Sequence, residues 1–175
     1  MIPAWLADKG RLVLALVLAV VLQTIVTSQL PILGVTADLF LLLTVLVAIA
    51  RGAGVGLVFG FAAGLTADIV FLEPVGLRTF IYLLVGYGVG WYVEEFGLQS
   101  AWMVVILAGT ASLLSQAVYG LFQFITGSAG GLLAMTRLQI LPAALVDGLL
   151  AAPLYLGLVR LRLLPRPDAG DPSFR

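Results

Sequence analysis

The sequence predicts an all-α integral membrane protein, a six-transmembrane-helix bundle, and three observations predict it. Of the 175 residues, 62% are hydrophobic and only 10% are charged, and the mean hydropathy is +1.15. A water-soluble domain carries about 25% charged residues, and a chain this short exposes too much surface to hide that shortfall in a core. The third observation is a succession of apolar runs, each near the roughly 20 residues that cross a bilayer core as a helix.

The runs lie at about 11–30, 36–51, 53–72, 77–94, 101–125 and 138–160, in one transmembrane domain over residues 1–163. The first reaches Gln23 without a small-residue cleavage site, so it reads as an anchor rather than a removable signal. The second is Leu-rich and opens at Asp38, a carboxylate expected in headgroup water, where it favours the positive end of the helix dipole.

The third run carries the strongest pattern. Gly52, Gly56, Gly60 and Gly64 recur every four residues and Asp68 continues the stripe. Four residues overshoot a helical turn by about 40°, so the stripe winds slowly and suits a neighbour crossing at an angle. Small residues let helix backbones approach closely in lipid, where no hydrophobic force drives helices together. Gly86 and Gly90 repeat the device in the fourth run, and the short Glu73-Pro74-Val75-Gly76 connection makes the two an antiparallel pair. An ionisable group within a membrane helix needs a partner or water; for Asp68, Arg78 at the start of the fourth run is the candidate.

In the fifth run Ser112, Ser115, Gln116, Tyr119 and Gln123 share one face at steps of three and four. That face points into the bundle as interhelical hydrogen bonds, or lines a solute cavity or partner groove. Asp147 falls about nine residues into the sixth run, near mid-membrane, where an unpaired charge costs about 2.5–3.5 kcal/mol. It is expected to be protonated, wetted or bonded to the fifth-run stripe. Pro142 is tolerated near the helix start, whereas Pro153 should kink the inner half. The tail 164–175 is proline-rich and polar and reads as disordered.

Orientation follows the excess of Lys and Arg on the cytoplasmic side. With the N-terminus inside, Lys9, Arg11, Arg51, Arg160, Arg162, Arg166 and Arg175 are cytoplasmic, against Arg78 and Arg137 outside, seven to two. An even span count then puts both termini in the cytoplasm. Trp5, Trp91, Tyr92 and Trp102 fall at the inner interface, where amphipathic rings settle.

Composition also bounds the chemistry. The chain has no Cys and no His, which removes thiolate nucleophiles, the usual neutral-pH base and the triads built on them. No metal site or cofactor is expected, and a net charge of zero gives no basic surface for nucleic acid. Lipid is the surrounding partner.

Residues 38–92 carry a more specific pattern: Asp38-Leu39-Phe40-Leu41-Leu42-Leu43, then Arg51-Gly52, then Gly64-Leu65-Thr66-Ala67-Asp68, Gly76, Tyr82 and Gly86-Tyr87. This resembles the MreD family of rod shape-determining membrane proteins, and length, span count and topology extend the resemblance over nearly the whole chain. The resemblance implies a non-enzymatic scaffold of the cell-elongation machinery in the bacterial inner membrane. It implies a fold like the substrate-binding subunit of energy-coupling-factor transporters. The implied partners are the membrane helix of MreC, the RodA and class B penicillin-binding protein complex and, indirectly, MreB filaments. A solute-binding subunit of such a transporter is the alternative; it should show a polar outer pocket.

Overall fold

The computed structural model describes residues 10, 13, 14, 16–21, 23, 37–71, 76–97, 101–126 and 140–161. Most of the first expected span, Trp5, the loop 127–137 with Arg137, the Glu73-Pro74-Val75 connection and the tail 164–175 lie outside the described residues.

Four helices follow in order: α1, Leu39–Val70; α2, Leu77–Phe96; α3, Ala101–Ile125; and α4, Leu141–Arg160. With further helical residues between 10 and 23, the described chain has five helical segments and no strand. Among the described residues, three stretches are long and apolar enough to cross a membrane: Leu39–Val70, Trp102–Ile125 and Leu141–Arg160. The expected count of six separate helices is therefore corrected. The stretches read as second and third spans, 36–51 and 53–72, are one element that bends within itself.

The bend is at Gly52, whose φ of 81° and ψ of −177° are non-helical. A straight helix would separate Thr44 from Gly60 by about 24 Å at 1.5 Å per residue. Instead, a methyl group on Gly60 would lie 3.1 Å from Thr44 Cγ2, and one on Gly56 would lie 2.7 Å from Ala48 Cβ. Positions four and eight residues either side of Gly52 thus face each other, so α1 is a hairpin that reverses in a single residue. Its limbs, 39–51 and 53–70, are about 20 and 27 Å long. Only glycine adopts this conformation without Cβ strain. No loop separates the limbs, which is why an apolar-run reading divides what the backbone joins.

The first limb is the centre of the protein. Every residue from Ala37 to Ala50 is buried, as suits a helix that is apolar on all faces. The second limb runs antiparallel to α2 along the glycines. A Cβ on Gly56 would fall on the Gly86 carbonyl, one on Gly60 on the Tyr82 carbonyl, one on Gly64 on Thr79, and one on Gly90 on Ala53 and Gly52. These are backbone-to-backbone contacts, closer than any side chain permits.

A looser crossing joins α3 to α4. There a methyl on Gly148 would lie 3.3 Å from the Val105 carbonyl oxygen and 3.4 Å from Gly109 Cα. The inward face of α3 runs through Val104, Ala108, Ala111, Ser112 and Ser115, and that of α4 through Ala143, Val146, Asp147 and Ala151. Pro142 sits at the start of α4, and the helix continues through Pro153 to Arg160. Trp91 and Trp102 are exposed.

Candidate functional site

The amino end of the central limb is buried, and a helix start leaves amide groups without intrahelical partners. Three side chains from three segments satisfy them. The Asp38 amide donates to Asp147 Oδ1 at 3.0 Å. The Leu39 amide donates to Gln23 Oε1 at 2.8 Å, and the Leu41 amide to the capping Asp38 Oδ1 at 3.1 Å. Gln23 also donates through Nε2 to the Ala37 carbonyl at 3.0 Å. The positive end of the helix dipole lies at this point and favours the two carboxylates.

Asp147 is fully buried, and the hydroxyl of Ser112 donates to its Oδ2 at 2.5 Å. Its interaction with the fifth-run stripe thus passes through Ser112, and its other partner is the start of α1. Asp38, 7% exposed, is not in headgroup water: its Oδ2 accepts from Arg78 Nη1 at 3.0 Å and from the Tyr82 hydroxyl. The Arg78 guanidinium lies over the rings of Phe71 and Tyr119, 4.7 and 5.1 Å from their centroids, within cation–π range.

Asp68, 1% exposed, caps α2. It accepts from the amides of Gly76 (2.7 Å), Arg78 (3.1 Å) and Thr79 (3.2 Å) and from the Thr79 hydroxyl (2.7 Å). Arg78 therefore meets Asp68 through its main chain while its guanidinium reaches Asp38. Gly76, at φ 111°, turns the chain into this cap. Arg78 links Asp38 to Asp68, and the Asp38 amide links to Asp147, so three carboxylates that the sequence scatters converge on one end of the bundle.

The rest of the fifth-run stripe divides. Ser115, Gln116 and Tyr119 line a cleft with Asp38, Arg78 and Tyr82. The space a water centre can occupy there is about 10 Å³, roughly one water molecule. This is far below what a vitamin-sized solute needs, so the cleft does not supply the outer pocket of a solute-binding subunit. Gln123 is half-buried beyond Tyr119, and its carbonyl accepts from the Thr126 hydroxyl at 3.1 Å.

At the opposite end of α2, Glu94 accepts from the Ala53 amide at 2.8 Å and so caps the second limb just past the Gly52 turn. Sequence reasoning did not single out Gln23, Asp38 as an ion-pair partner, Glu94 or the Gly109–Gly148 crossing. The one signal available was an acid or amide beside each break in an apolar run, the composition of a helix cap.

These observations define a multi-pass α-helical membrane protein whose buried carboxylates hold its own helix ends together. The chain belongs to the family described as rod shape-determining protein MreD, which it matches over residues 9–162. No curated protein and no solved structure matches it, so the expected likeness to transporter substrate-binding subunits has no support. Membership places the chain in the rod-shape system of the bacterial inner membrane.

Proposed function

We propose that this protein is a non-enzymatic scaffold of the cell-elongation complex. It binds the membrane helix of MreC and steadies the periplasmic part of that protein, which in turn biases the RodA and class B penicillin-binding protein synthase toward activity. MreB filaments act on it indirectly. The observation that carries this reading is the family match across 9–162. The geometry supports it, because Asp38, Asp68 and Asp147 are each engaged by amide, hydroxyl or guanidinium donors rather than presented to a substrate.

In this reading the chain is a multi-pass bundle with both termini in the cytoplasm. The seven-to-two distribution of basic residues supports that orientation. The test is complementation in a rod-shaped bacterium lacking its own copy, together with co-purification of MreC from native membranes. Restored rods and recovered MreC are expected. Normal elongation in cells lacking the protein, or turnover of a compound by the isolated chain, would overturn the proposal.

A further inference from the structure

Consecutive helices α2 and α3 part to leave an apolar groove of about 460 Å³. Leu84, Gly88 and Tyr92 form one wall and Ala111, Leu114 and Val118 the other. The α2 wall runs from residue 80 to residue 92, about 18 Å at 1.5 Å per residue. Lipid tails fill such a groove if nothing else does, but two features favour a different occupant.

The first is Ser115 in the groove lining. It is 6% exposed, and its buried hydroxyl has no hydrogen-bond partner among the described residues, although the same side chain also borders the cleft at Asp38 and Arg78. An acyl chain offers it none, whereas a transmembrane helix brings carbonyl oxygens and polar side chains that a turn of Ser115 about χ1 would meet, and interhelical contacts in membranes use such groups.

The second is charge. Positions 81, 85, 88 and 92 line the groove, and Glu95 continues that stripe by one further turn. Glu95 is exposed, and no basic residue stands in the last turn of α2. Among the described residues it has no ion pair. A negative charge at a helix C-terminus is opposed by the helix dipole. Glu94 beside it is engaged in capping Ala53, but Glu95 has no comparable contact. A phosphate would be repelled by Glu95, whereas Lys or Arg flanking a membrane helix would be attracted, as would the ammonium of a zwitterionic lipid, which the lipid outcome of the test below separates.

We propose that the groove between α2 and α3 seats the single apolar transmembrane helix of a partner protein, with basic residues at one end of that helix against Glu95. This rests on the scaffold reading and adds the face that carries it.

A side chain on Gly88 meets open space within the protein, as does one on Gly54, so Gly88→Leu fills the groove while Gly54→Leu is a matched control. The single-span partner is co-expressed and co-purified with the full chain. Wild type and Gly54→Leu are expected to retain it, Gly88→Leu to retain about tenfold less, and Glu95→Lys to weaken it as well. Because the chain has no Cys, Leu114→Cys in the groove and Leu149→Cys on the exposed face of α4 report position whatever Gly88→Leu does to folding. Disulfide cross-linking to cysteines scanned through the partner helix is expected from Leu114→Cys alone. Undiminished capture by Gly88→Leu, or cross-linking from Leu149→Cys instead, overturns the groove and leaves the scaffold reading standing. Phospholipid lost from Gly88→Leu with partner binding unchanged makes the groove a lipid site and likewise overturns the inference. Failure of wild type to retain any single-span partner overturns both.

Discussion

The main-chain amide of Asp38 donates to the carboxylate of Asp147 across 109 residues of sequence, at 3.0 Å. An acid in the middle of α4 thereby becomes part of the cap on the central limb of α1, and its second oxygen is held by Ser112 of α3. Three helices meet in one side chain, so its removal should loosen all three.

Asp147→Leu leaves the Asp38 amide and the Ser112 hydroxyl buried without that acceptor, at a cost of about 1–3 kcal/mol for each group. Asp147→Asn keeps one carbonyl oxygen and should cost less. Thermal unfolding in detergent is expected to rank wild type above Asn above Leu. A Leu variant melting with wild type would show the cap to be idle, and an Asn variant with normal assembly and cell shape would leave Asp147 no functional role.

Gly60→Leu and Gly86→Leu put side chains onto the backbones of Tyr82 and Gly56. Overpacking costs about 1–3 kcal/mol even where neighbours are side chains that can shift, and here they are main chain. Folded protein recovered from membranes should fall sharply in both, while Gly54→Leu, which meets open space, expresses normally. Equal yields from all three would refute the tight seam.

Gly52→Ala forces a Cβ into a positive-φ, extended-ψ conformation that is essentially glycine's alone and onto the Glu94 carboxylate. The backbone alone costs about 1–3 kcal/mol. Glu94→Ala keeps the turn and removes the cap on Ala53, an effect of about 0.5–2 kcal/mol. Both variants should melt below wild type, and the double variant should lose less than the sum, because each single change already disrupts the contact between Gly52 and Glu94. Strict additivity would separate turn from cap.

Breaking the buried pair from one side is costlier than removing it whole. Arg78→Met leaves the Asp38 carboxylate without its cation, a situation that costs about 3–5 kcal/mol, and Asp38→Asn takes the carboxylate charge away from the guanidinium. Asp38→Asn combined with Arg78→Met should recover part of the stability lost in Arg78→Met. A double-mutant cycle with no coupling energy would show that the pair contributes nothing.

The helical class was legible because membrane spans write themselves in composition: few charges and long apolar runs leave little else for the chain to be. The glycine seam was legible for a related reason, since a continuous line of close approach imprints its period, and Gly52, Gly56, Gly60 and Gly64 recur every four residues. What those glycines lie against leaves no local period, and neither does a capping contact. Gln23 meets Leu39, and Asp147 meets Asp38, only because the hairpin and α4 bring them together. Gly52 was read as part of the stripe, yet its positive φ makes it the reversal point. Spacing records where a glycine stands; it carries no record of the backbone angle adopted there. For the same reason Asp38 read as a wetted cap, since its neighbours in sequence do not reveal that Arg78 and Tyr82 close over it.

The one-residue reversal at Gly52, stoppered by Glu94, also bears on how such a chain can change. Ordinary connections absorb insertions and epitope tags with little harm. This one has no slack: an added residue would pry the limbs of α1 from each other and from α2 together. Growth in chain length, whether by evolution or by fusion to a reporter, has to be taken up elsewhere in the protein.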